Sequence, residues 1–260
     1  MKKALLAFTG VVALLFALSV VKDLAVKVSV ENGVQFVTGL KLRISNFNAG
    51  IIRQVVNIGG LKLYNPKGFK DKIMLDMPRI YVDYDLPAIF KGVVHLKEVR
   101  LNMRELVVVK NELGELNLNS LNVVKAGKGG GQPSDKQGKA PVIKIDSLRL
   151  KIGRAIYKDY SRGGEPSVKE FNINTDETYT DIDNLNALVG LIVVRALKNT
   201  SISGLANFDL NGLQSTVFDT LQAARENANR AASAAKESVR AIGKTAEQLQ
   251  GVFKNPFGGK

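Results

Sequence analysis

The sequence predicts a mainly β protein with helices, an α+β chain, and three observations predict it. Apolar residues alternate with polar ones from Leu40 onwards, which is strand spacing. An uncharged apolar run opens the chain, and a stretch of strong helix formers closes it. The 260 residues are 45% hydrophobic and 23% charged, a globular composition that allows a sizeable core. Cysteine is absent, which excludes disulfides, thiolate metal sites and a cysteine nucleophile.

Lys2 and Lys3 precede an uncharged run of 18 residues, Ala4 to Val21. As a helix it spans roughly 27 Å, the short end of what crosses a bilayer. A membrane anchor over 1–21 and a cleaved signal peptide both fit, the signal less well, since Ala17-Leu18-Ser19 is a weak cleavage site. Residues 22–39 continue as a helical stalk that Gly39 ends.

From residue 40 to 125 the pattern is that of strands. Val56, Ile58, Leu61 and Leu63 set a spacing that recurs at Val94, Leu96, Val99 and Leu101, at Leu116, Leu118, Leu121 and Val123, and at Ile143, Ile145, Leu148 and Leu150. Each copy is two alternating runs with one extra residue between them. Side chains change face at every residue, so the extra residue demands a bent or bulged strand, or a tight hairpin, if one face is to stay apolar. Ile80, Val82, Tyr84 and Leu86 alternate as a further strand, Leu106 to Val109 is a continuous apolar run, and Pro87 to Phe90 reads as a short helical turn before Gly92. Residues 126–141 are a Gly-rich polar linker.

A second β/α segment covers 142–212. Within it Asp181 to Asn184 start a helix, and Leu185 to Ala196 are apolar around most of the circumference, as a buried helix requires. Ile202, Leu205, Phe208 and Leu210 read as strand, and Asn211-Gly212 as a turn. The remainder, 213–260, is a long amphipathic helix with a narrow Ala-rich stripe, suited to a protein partner or to the sheet, and a tail that Asn255-Pro256 sets off.

The net charge of +13 is spread along the chain, with no run of five basic residues and no nucleic-acid-binding signature. It suits a solvated surface near anionic lipid, and no nucleic-acid partner is expected. The one histidine, His95, reads as an exposed strand residue without neighbours in sequence to make a catalytic or metal site. Asp176, Glu177, Asp181 and Asp183 lack calcium-loop spacing and read as a solvated turn plus helix N-terminal charge. The glycines of 127–131 are not closed by a phosphate-loop Lys, and no nucleophile elbow occurs. The expectation is a non-enzyme with no cofactor and no metal.

Ile58-Gly59-Gly60-Leu61-Lys62-Leu63-Tyr64 runs directly into Asn65-Pro66-Lys67-Gly68-Phe69. By itself that is a tight turn with an aromatic plug. Together with the N-terminal segment, Thr38-Gly39-Leu40, Met77-Pro78-Arg79-Ile80-Tyr81-Val82-Asp83 and Val94 to Leu101, it resembles the AsmA-like family of bacterial envelope proteins over residues 4–125. The resemblance implies a curved antiparallel β-sheet, a groove or partly open barrel with an apolar inner face. It also implies a single pass through the bacterial inner membrane, with the main domain in the periplasm. Larger members are linked to moving phospholipid across the envelope and to outer-membrane biogenesis.

The candidate groove or core liners are Ile58, Leu61, Leu63, Phe69, Ile80, Val82, Leu96, Val99, Leu101, Ile145, Leu148 and Leu150. An apolar sheet face must be covered. If acyl chains cover it, the protein binds or transfers phospholipid. If its own helices do, it is a structural scaffold or an envelope-assembly protein. The sequence separates the two poorly; the expectation is phospholipid binding or transfer, with the scaffold as the alternative.

Overall fold

In a computed structural model of the chain, residues 38–121 and 142–223 are described, together with 27, 31, 35, 124, 226, 230, 233 and 237. The expected anchor over 1–21, most of the 22–39 stalk, the 126–141 linker and most of the 213–260 helix lie outside the described residues.

The protein is mainly β, a six-stranded open sheet with a few helices. Strands β1 (Leu42–Gly50), β2 (Val55–Tyr64), β3 (Ile73–Tyr84), β4 (Val93–Lys110), β5 (Val142–Asp159) and β6 (Ser167–Ile182) lie side by side in chain order. The sheet is mixed, and this corrects the antiparallel expectation: β4 and β5 run parallel. A parallel neighbour needs a long crossover, and the chain between Lys110 and Val142 supplies it. The stretches 40–125 and 142–212 thus contribute to one sheet.

The extra residue in the repeat is a crease within a continuous strand, not a hairpin. Core-facing residues lie three apart at Ile44/Phe47, Ile58/Leu61, Met77/Ile80, Met103/Leu106 and Ile152/Ala155, yet all belong to one cluster. Alternation alone would put the two members of each pair on opposite faces. Between them sit Ser45, Gly60 (φ 65°), Pro78, Arg104 and Gly153, and on β6 Asn174 (φ 49°). Gly60 needs its positive φ, and Gly153 needs its missing Cβ, which would stand 2.6 Å from the Arg104 carbonyl oxygen. A second reversal separates Leu96 from Val99, Ile145 from Leu148 and Tyr179 from Ile182. There the β3–β4 register shifts and Asp181 takes φ 57°. One apolar face therefore continues along strands of up to 18 residues.

Helices cover that face. α1 (Leu86–Phe90), capped by the Asp85 carboxylate on Ala88 N, only turns β3 into β4, as the sequence predicts. α2 (Leu185–Leu197) starts at Asn184, whose side chain accepts from Ala187 N, and buries Leu191, Val194 and Leu197 completely. Three segments read as strand or turn are helical instead. Leu116 to Leu121 does not form the strand expected for the third repeat copy: a 3-10 helix, Asn117–Ser120, lies there, and its Leu118 and the following Leu121 cap the core. Ile202–Leu210 is no strand. Ile202–Ala206 forms α3, which ends at left-handed Asn207. Asn211-Gly212 is no turn, because residues 210–223 are helical, with Asp209 accepting from Gly212 N at 2.8 Å.

The other face carries a smaller cluster, Val107, Val109, Ile156 and Tyr160, roofed by Phe69. This explains the continuous run Leu106 to Val109, which is buried on both faces. The Asn65–Phe69 turn is held there: Asn65 Oδ1 accepts from the fully buried Asn117, and Asp71 accepts from Lys158 and from the Tyr160 hydroxyl at 2.8 Å.

Gly153→Ala is expected to lower stability by about 1–3 kcal/mol, because the backbone of β4 must give way. Gly50→Ala, whose nearest contact would be an ordinary 3.5 Å, is expected to change it by less than about 0.5 kcal/mol. Urea unfolding of both variants measures the difference.

Candidate functional site: a basic trough on the open face of the sheet

The core face and the open face differ in chemistry. Of the predicted liners, Ile58, Leu61, Leu63, Ile80, Val99, Leu101, Ile145, Leu148 and Leu150 are buried in the cluster shared with α2 and α3. Val82 and Leu96 pack against that cluster and are half-buried. Phe69 alone is on the opposite face. The structure thus brings all but Phe69 together.

A trough of about 870 Å³ lies on the open face, between the two creases. Two cross-strand rows form its floor. One runs Asn48, Asn57, Tyr81, Arg100, Arg149, Thr178; the other runs Asn46, Gly59, Arg79, Asn102, Lys151, Asp176. Each row crosses all six strands. The lining holds Arg79, Arg100, Arg149 and Lys151 against one carboxylate, Asp176.

Arg100 and Arg149 are direct neighbours across β4 and β5, an arrangement that costs stability unless anions intervene. Two bidentate pairs supply them. Arg100 donates to Glu98 at 2.6 and 2.7 Å, and Arg149 donates to Asp176 at 2.7 Å through both nitrogens. Arg100 also lies 4.7 Å from the Tyr81 ring centre. Arg100 holds the Glu98 carboxyl below the usual range, and Arg149 does the same for Asp176 against a smaller opposing effect of desolvation. Lys151 is 3.9 Å from Asp176, and Arg79 adds a further guanidinium. Chemically the trough can accept carboxylate or phosphate oxygens, with asparagine amides beside the cations.

These residues were missed in the sequence because the reading followed the apolar phase of each strand. Its complement carries the signal: an arginine precedes the core residue at Arg79-Ile80, Arg100-Leu101 and Arg149-Leu150.

Two further readings change. His95 is half-buried, not exposed, with Nε2 2.7 Å from Asp146 and Nδ1 3.6 Å from Asp85. Burial raises the Asp146 pKa, but hydrogen bonds from Lys144 and His95 outweigh it and hold the carboxyl low. The acidic group at 176–183 is not a turn. Asp176 and Glu177 lie within β6 and point to opposite faces, Asp176 to Arg149 and Glu177 to Tyr179 and Arg195. Among the described residues no cluster of three or more His, Asp or Glu is arranged to hold a metal ion, and no helix among them is long and apolar enough to cross a membrane. Compared with known proteins, no family model, no curated protein and no solved structure matches the chain.

Because Asp176 is held low in the folded state, the pair's stabilisation is present at neutral pH and is lost as pH falls through that lowered pKa. Arg149→Leu is expected to move the Asp176 pKa up towards the ordinary carboxylate value. Carboxyl-detected NMR titration reads it, with Glu98 shifting less because Arg100 dominates there.

Proposed function

We propose that the chain is a non-catalytic, AsmA-like envelope protein of bacteria. Its N-terminal segment anchors it in the inner membrane, its sheet lies in the periplasm, and it works as a structural scaffold or assembly factor. The single observation that carries this reading is the cover on the apolar face. Leu148, Leu150, Ile152 and Met103 of the sheet and Leu191, Val194, Leu197 and Ile202 of the helices are all 0–1% exposed. Such close burial supports a core filled by the protein's own side chains rather than by acyl chains. The face left for a partner is then the basic trough, which suits acidic groups.

One observation favours the second reading, binding or transfer of phospholipid. Phe47, Val56, Val82, Leu96 and Ile143, towards the Gly50–Val55 end of the sheet, are only partly buried against the core. An apolar mouth there would serve a lipid tail.

The two readings separate on two measurements. Leu150→Asp is expected to cost more than about 4 kcal/mol and to unfold the domain, because it leaves a carboxylate in a dry core. Native mass spectrometry of the full chain, activated until detergent is stripped, is expected to give the lipid-free mass. Phospholipid that survives activation, and is lost in a still-folded Leu96→Asp variant, would overturn the scaffold reading.

A further inference from the structure

Of the eight exposed bulky apolar side chains among the described residues, four gather at one end of the sheet, while Leu113, Val168, Leu205 and Phe218 belong to other elements. Ile51 (53% exposed) and Ile52 (96%) form the β1–β2 turn, and Ile89 (39%) and Phe90 (82%) end α1 between β3 and β4. β2 and β3 are antiparallel neighbours paired at Val55–Asp83, so both turns lie at the same end of the sheet.

The two tips share one base. Gln54, at φ 52°, accepts from Tyr84 N through its carbonyl and from Leu86 N through Oε1, both at 2.9 Å. The Tyr84 hydroxyl donates to the Gly50 carbonyl at 3.2 Å. Burying these apolar side chains against the described part of the sheet would require folding the tips inward, which that base opposes. Leaving them in water forgoes the hydrophobic gain, so a cluster of this kind marks a contact surface.

Each tip continues into an exposed cation, Arg53 after Ile51-Ile52 and Lys91 after Ile89-Phe90. Bulky apolar side chains flanked by cations match the acyl boundary and the anionic headgroups of a bilayer. Of the acids at this end, Asp85 caps α1, Asp146 pairs with His95 and Lys144, and Glu98 with Arg100; Asp83 is half-buried at the end of β3, and Asp181 and Asp183 belong to the far strand and its exit.

The chain direction agrees independently. The described helical residues 27, 31, 35 and 38 run antiparallel to β1: Gly39 N donates to the Gln35 carbonyl, Ile44 N donates to Glu31 Oε1, and Lys27 shares a cavity with Ser45 and Gly60. Moving back along this helix is moving towards Gly50. These described helical residues therefore run towards the same end of the sheet as the tips.

We propose that Ile51-Ile52-Arg53 and Ile89-Phe90-Lys91 form a paired docking tip that inserts into an anionic phospholipid bilayer and stands the sheet upright on it. This rests on the membrane-anchored reading for where the bilayer lies, and it needs neither an open groove nor a filled trough.

The chain has no cysteine, so single-cysteine probes report cleanly. Full-length Ile52→Cys, Phe90→Cys and Leu113→Cys chains, each carrying an environment-sensitive fluorophore, are placed in nanodiscs of phosphatidylcholine with and without phosphatidylglycerol. Leu113 is 84% exposed, in the turn after β4 at the opposite end of the sheet. Iodide quenching at 52 and 90 is expected to be at least about three-fold weaker than at 113, with blue-shifted emission in the phosphatidylglycerol discs. Arg53→Glu with Lys91→Glu is expected to return it to the phosphatidylcholine level. Equal quenching at all three positions in a disc-incorporated chain overturns the tip and leaves the anchor standing. A chain that does not enter discs at all overturns both.

Discussion

Everything in this fold depends on keeping one apolar face along strands too long for simple alternation on a twisting sheet. The creases through Ser45, Gly60, Pro78, Arg104, Gly153 and Asn174, and again near Lys97, Asp146 and Asp181, reset the phase of each strand together. Without the first, Leu61, Leu63, Leu75, Leu106 and Tyr157 would face water while their neighbours stayed in the core. With it, α2, α3 and the helical residues from 210 have a continuous surface to cover. The residues at the creases are those that tolerate such a position: glycine where φ is positive or a carbonyl comes close, proline where no ladder donor is needed, asparagine and aspartate in the left-handed region.

The same resetting creates the open face. Between the creases the outward phase is polar on every strand, and the rows through Arg100 and Arg149 and through Arg79 and Lys151 bring like charges together. Glu98 and Asp176 offset part of that repulsion, and the remaining positive charge is what the trough offers an acidic group. Beyond the first crease the outward face turns apolar at Val107, Val109 and Ile156, and the Asn65–Phe69 turn exists to cover it. That turn is thus a lid on the second small core, fixed by Asn117, Lys158 and Tyr160.

Much of this was legible because its cause is local. The two-three-two spacing at Val56–Leu63, Val94–Leu101 and Ile143–Leu150 reports the creases directly, and the apolar circumference of 185–197 reports a buried helix. What escaped was non-local or degenerate. Alternation says nothing about which strand a strand pairs with, so the parallel β4–β5 pair could not be read. Ile202, Leu205, Phe208 and Leu210 have spacings of three, three and two, which suit a helix as well as a strand. Leu116 to Val123 fits the repeat spacing but follows Gly114 and leads into the crossover, where a 3-10 turn caps the core. The trough lay in the polar residues between those that the pattern selects, and the partners of His95 are far away in sequence.

The central claim is that α2 belongs to the core and is not a movable cover over a groove. Native-state hydrogen exchange across a denaturant series measures this directly, by comparing amides of Leu191 to Leu197 with those of Leu148 to Ile156 in β5. The account predicts that both sets exchange only through the same global opening, with one free energy and one denaturant dependence. Opening of α2 at a distinctly lower free energy, with β5 still protected, would contradict it and show a lid above an apolar groove.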